Sequence, residues 1–178
     1  MTGTVQRFTT EYIANEDRML MSLEFQDGSV QMLWLTRRLL DRLILRLLQY
    51  VDDASLPGGG AKDDPVKANV QQRFNQQAAT ASMRRQKPVR STGLAQKEAK
   101  PPALVSHVNL RRHDRVLDVE FRSIETALLL MPFRKGELRQ WLGVLYNNYQ
   151  RAEWNGAFWP DWIKPGDAAT EANTRLVN

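Results

Sequence analysis

The two ends of this chain read as one short unit written twice, with a polar, basic stretch between them. The first copy runs Asp17-Arg18-Met19-Leu20, Leu23-Glu24-Phe25 and Leu33-Trp34-Leu35, and then a helical pattern begins. The same order returns as Asp114-Arg115-Val116-Leu117, Val119-Glu120-Phe121 and Leu129-Leu130-Met131, again followed by a helical pattern. Asp17 matches Asp114, Phe25 matches Phe121 and Leu40 matches Leu138 at slightly different separations, so this alignment takes two small gaps. Alternation supports it independently, because Met19, Met21, Leu23 and Phe25 share one strand face, as do Leu117, Val119 and Phe121. Two copies do not make a solenoid, which needs about three or more stacked repeats.

Each copy reads as three strands and a helix. In the first, strands are predicted at Arg7 to Ile13, Arg18 to Phe25 and Val30 to Leu35, with Asp27-Gly28 as the hairpin signal between the last two. Thr36 is the expected N-cap of a helix whose apolar stripe is Leu39, Leu40, Leu43, Ile44, Leu47, Leu48 and Val51. Arg38, Arg42 and Arg46 recur on its other side and read as a solvated face. In the second copy the strands are expected at Leu104 to Arg111, Arg115 to Phe121 and Thr126 to Met131. The last is a continuous apolar run, which suits a strand covered on both faces and stopped by Pro132. A helix from about Gly136 to Trp154 follows, with Leu138, Trp141, Leu142, Leu145, Tyr146 and Tyr149 on one stripe. The expected fold is α+β: two βββα units, an internal duplication, forming one pseudo-twofold antiparallel-sheet domain with two covering helices. The units are placed at residues 1–55 and 103–163, with a largely disordered linker at 56–102 and a disordered tail at 164–178.

Division of the charge locates its excess. Residues 1–51 and 104–178 are nearly balanced, while the middle stretch carries nine basic side chains against five acidic ones. Lys62, Lys67, Arg73, Arg84, Arg85, Lys87, Arg90, Lys97 and Lys100 are thus the expected polyanion-binding residues. Most of this stretch is too poor in large apolar residues to offset ordering. Val66, Val70 and Phe74, at four-residue spacing, suggest a weak or partner-induced helix continuing to Arg85. Near the other end, Trp154, Phe158, Trp159 and Trp162 crowd a short segment that either covers the core or docks a partner; they are taken as the protein-docking anchor.

Catalytic chemistry finds little support. Cysteine is absent, which removes disulfides, thiolate nucleophiles and thiolate metal sites. His107 and His113 stand in no metal or triad spacing, and Gly58-Gly59-Gly60 lacks the Lys-Ser/Thr of a phosphate loop. No catalytic, cofactor-binding or metal-ligating residue is therefore assigned, and no cofactor is expected. The expected function is a non-catalytic protein-interaction role, as an adaptor, assembly factor or regulatory subunit, in the cytoplasm. The alternative is single-stranded nucleic-acid binding, since strands backed by helices resemble in architecture the single-strand-binding folds. Arg111, Arg112, Arg115, Arg122 and the strand residue His107 would then supply the contact face, although no motif residue of those folds is present. A membrane is not an expected partner; self-association is compatible with the sequence.

Overall fold

Alternating burial along the strands and a helical stripe after each third strand build the same unit twice. The computed structural model describes residues 4–54, 65–85 and 101–164. The first antiparallel meander consists of β1 (Val5–Ile13), β2 (Arg18–Phe25) and β3 (Val30–Leu35), and it leads into helix α1 (Arg37–Ala54). Helix α2 (Pro65–Arg85) comes next, followed by β4 (Ala103–Leu104), which pairs parallel to β3 at the edge of the first sheet. The second meander is β5 (His107–Arg112), β6 (Val116–Arg122) and β7 (Ala127–Arg134), ending in helix α3 (Lys135–Arg151). The sheet orders are β1-β2-β3-β4 and β5-β6-β7.

Strand pairing gives a better alignment of the two units than the sequence motifs do. Met19 pairs with Leu35 and Met21 with Leu33; in the second unit Leu117 pairs with Phe133 and Val119 with Met131. One constant shift carries each member of the first set onto its counterpart in the second. The same shift carries Leu40 to Leu138, Ile44 to Leu142 and Leu47 to Leu145, all buried. The repeated Asp-Arg and Glu-Phe words lie slightly out of this register, so the gaps they required vanish between β2 and the helix.

The core is one cluster to which both units contribute, from Met19, Leu33 and Ile44 to Phe121, Phe133 and Leu142. Its helices bridge the units: α3 packs on β1 of the first unit as well as on β7 of its own, and α1 stands beside β5 of the second. Tyr149 on α3 donates to Asp41 Oδ1 on α1 at 2.8 Å, joining the two helices. Local signals are realised as expected at the Asp27-Gly28 turn, where Gly28 has φ +79°. The Leu39 N–H also reaches Thr36 Oγ1 at 3.3 Å, capping α1.

Three expectations need correction. β7 is buried on one face only, with Leu129, Met131 and Phe133 inside and Leu130 54% exposed, and it continues past Pro132. Pro132 is tolerated because β7 is an edge strand and its N-terminal neighbours Leu129 and Met131 carry the ladder to β6, leaving the proline nitrogen facing outward. Residues 65–85, placed in the linker with a weak or partner-induced helix suggested there, form a helix of 21 residues packed against α3 within the chain itself. That helix also faces the other way from its apolar residues: Gln72, Gln76 and Ala79 are buried, while Val66, Val70 and Phe74 are 71%, 64% and 66% exposed. Arg139 on α3 dictates this orientation. Its guanidinium donates to the carbonyl and side-chain oxygens of Gln72, and its backbone carbonyl accepts from Gln76 Nε2 at 3.0 Å. A buried guanidinium left without acceptors would cost more than three apolar side chains cost in water. Residues 56–64 and 86–100 of the linker, and the tail at 165–178, lie outside the described residues.

Candidate docking groove

The aromatic segment after α3 is part of the core. Trp154, Trp159 and Trp162 are each 5% exposed, and Phe158 is half-buried. Trp154 Nε1 donates to Asp17 Oδ1 at 3.0 Å, an oxygen that also accepts from Tyr12 Oη at 2.9 Å. Tyr149 stands edge-on to Trp154 and Trp159, at 5.1 and 5.4 Å between ring centroids. The Arg139 guanidinium lies over Trp162 at 5.1 Å. Edge-to-face rings and a cation over an indole are contacts of a finished interior. Trp154, Trp159 and Trp162, expected to dock a partner, are packed against the chain itself as a lid, with Phe158 half-buried beside Trp159. Burial and the bond to Asp41 also hold the Tyr149 phenol far above the usual tyrosine range.

Of the nine expected polyanion-binding residues, the structure describes the side chains of Lys67 and Arg73, both exposed on α2. Arg84 and Arg85 close that helix, and their side chains lie outside the described residues, as do Lys62, Lys87, Arg90, Lys97 and Lys100 altogether. The outer face of the second sheet is not a cationic plate. Glu120 on the central strand accepts from Asn109 at 2.8 Å and from Arg122 at 3.0 Å, and those bonds hold its carboxyl below the usual carboxylate range. Asp118 on the same strand pairs with His113 at 3.0 Å. Among the described residues, no group of His, Cys, Asp and Glu is arranged to hold a metal ion, and no helix is long and apolar enough to cross a membrane.

The two sheet edges related by the pseudo-twofold axis are finished differently. Thr10 pairs with Met21 and Tyr12 with Met19 in the first unit, as Leu110 pairs with Val119 and Arg112 with Leu117 in the second. Thr10 and Tyr12 are thus the counterparts of Leu110 and Arg112. On β1, Asn148 of α3 acts like a fragment of a neighbouring strand. Its Oδ1 accepts from the Tyr12 N–H at 2.9 Å, and its Nδ2 donates to the Thr10 carbonyl at 3.1 Å. Trp141 adds a bond from Nε1 to Thr10 Oγ1 at 3.1 Å. This edge is sealed.

On β5 the equivalent helix positions are Tyr50 and Leu43, which offer no such amide. Tyr50 instead lies beneath the Arg112 guanidinium, 5.2 Å from its ring centroid. What remains between α1 and β5 is an open recess of about 580 Å³, within the usual range of ligand clefts, roughly 300–1,000 Å³. Leu39, Leu43, Val108 and Leu110 line it, Arg42 and Arg46 stand on its helical side, and Ser106 and His107 close one end. Leu45, also in the lining, is 45% exposed. The arginine row seen in the sequence is exposed as expected, and two of its members, Arg42 and Arg46, also flank the recess. Asn148, a polar residue on an otherwise apolar stripe, was the sequence signal for the sealed edge. Comparison with protein-family models, curated proteins and solved structures returns no match.

Proposed function

We propose that the protein is a non-catalytic interaction module, an adaptor, assembly factor or regulatory subunit, that engages a protein partner at the recess between α1 and β5. The observation that carries this reading is the asymmetry of two otherwise equivalent edges. One is closed by Asn148 and Trp141, while the other keeps an apolar recess rimmed by Arg42 and Arg46. A fold that can seal one such edge with its own side chains and leaves the other open has a surface for something else to cover. Burial of Trp154, Trp159 and Trp162 supports the recess over the C-terminal segment as the docking surface. Carboxylates at the centre of β6 weigh against a phosphate backbone lying across that sheet.

Leu45→Asp tests the reading, since Leu45 is exposed and its replacement leaves the core intact. Affinity recovery from the native host is expected to yield a protein partner that survives nuclease treatment and is lost with Leu45→Asp. Recovery that is abolished by nuclease, or that is indifferent to Leu45→Asp, would favour nucleic acid or another surface.

A further inference from the structure

The recess has a chemistry specific enough to define its occupant, an assignment that rests on the interaction reading above. The hairpin bond from the His113 N–H to the Val116 carbonyl fixes which residues of β5 bond to β6. Counting back in twos, Arg111, Asn109 and His107 face β6. The backbone groups of Val108 and Leu110 then point away from the sheet, and none of them is bonded among the described residues. Donors and acceptors thus alternate along an edge that looks into an apolar recess. Such an edge is a template for one more strand, whose every second side chain would reach Leu39, Leu43 and Leu45.

Charge selects among strands. Among the described residues, Arg46 bonds Gln49 at 3.2 Å, Arg42 has no acidic partner, and the lining holds no carboxylate. A second copy of β5, His-Val-Asn-Leu-Arg-Arg, would set arginines against arginines. Nucleic acid fits less well, because phosphates offer acceptors only and, among the described lining residues, His107 alone offers a ring for base stacking. We infer that the recess takes an extended acidic segment of a partner protein, apolar residues alternating with Asp or Glu, which adds to the second sheet as a strand beside β5.

The test is amide spectroscopy on the isotope-labelled full chain. The probes are a panel of short capped peptides alternating valine or leucine with glutamate or aspartate, the matched lysine peptides, and oligothymidylate. The acidic peptides are expected to shift the Val108 and Leu110 amides and slow their hydrogen exchange, and the other probes are not. Leu110→Pro removes an outward N–H that the β5–β6 ladder does not use, and is expected to weaken binding about threefold to tenfold. The surface double variant Arg42→Glu/Arg46→Glu, which leaves the core untouched, is expected to weaken it as well and to flatten its salt dependence. Acidic peptides that fail to protect these amides, or oligothymidylate that does protect them, would overturn the inference. If the peptides fail while partner recovery still depends on Leu45, strand addition falls and the interaction reading stands; if recovery fails too, both fall.

Discussion

Asn148 illustrates how a single side chain decides what a surface can do. With its three hydrogen bonds, to Tyr12, Thr10 and the Val144 carbonyl, it is fully used and 6% exposed. Asn148→Leu would leave the outward groups of β1 unpaired beneath a helix. The expected cost is about 2 kcal/mol, or a fall of roughly 4 to 8 °C in Tm by calorimetry. Trp162→Ala should cost more, about 3 to 5 kcal/mol, because it empties a buried site and strips the cover from Arg139; an unchanged Tm would restore the docking role of the lid. Tyr149 sets the alkaline limit. Its pKa is raised in the fold, so its contribution to stability is complete below the ordinary value of 10.0 and is lost as pH rises beyond it. Denaturant midpoints should therefore start to drop as pH rises above about 10, and Tyr149→Phe should reduce that drop.

Among the elements, α1 and α2 show what periodicity can and cannot reveal. The stripe of α1 was legible because Leu40, Ile44 and Leu47 are buried by the packing that their spacing anticipates. In α2 the spacing of Val66, Val70 and Phe74 was equally regular, yet the helix turns its glutamines inward. A buried cation from a distant part of the chain outweighs the local apolar pattern, and no window centred on α2 contains Arg139. Desolvation pushes the pKa of Arg139 down; a guanidinium nonetheless stays protonated in proteins, so its need for acceptors persists. Arg139→Ala is accordingly expected to release α2 while sparing the β-sheets. Limited proteolysis should then cut within residues 65–85, where the parent is protected; resistance there would show that Gln140, whose Nε2 reaches the Ala79 carbonyl at 3.1 Å, suffices to hold the helix. The duplicated strand order was legible for the same reason as α1, whereas the open edge was not. It depends on Tyr50 standing where its counterpart is Asn148, and that equivalence emerges only once strand pairing has fixed the register.

At the scale of the whole molecule, helices that bridge the two units tie them into one object. α3 completes the first sheet through Trp141 and Asn148, and α1 stands over the second, so neither meander is covered by its own unit alone. Unfolding followed by tryptophan fluorescence, which reports mainly on the second unit, should therefore coincide with far-ultraviolet dichroism, and Met21→Ala should shift both together. Separate transitions would mean two independent domains. The central claim concerns the way the pseudo-twofold symmetry is broken, and hydrogen exchange in the free, full-length protein addresses it most directly. The Tyr12 amide, held by Asn148, is predicted to exchange slowly, and the Leu110 amide, facing the recess, to exchange faster by orders of magnitude, close to the rate of an exposed edge. Equal protection at the two positions would contradict the account, because it would mean that the second edge is sealed as the first one is.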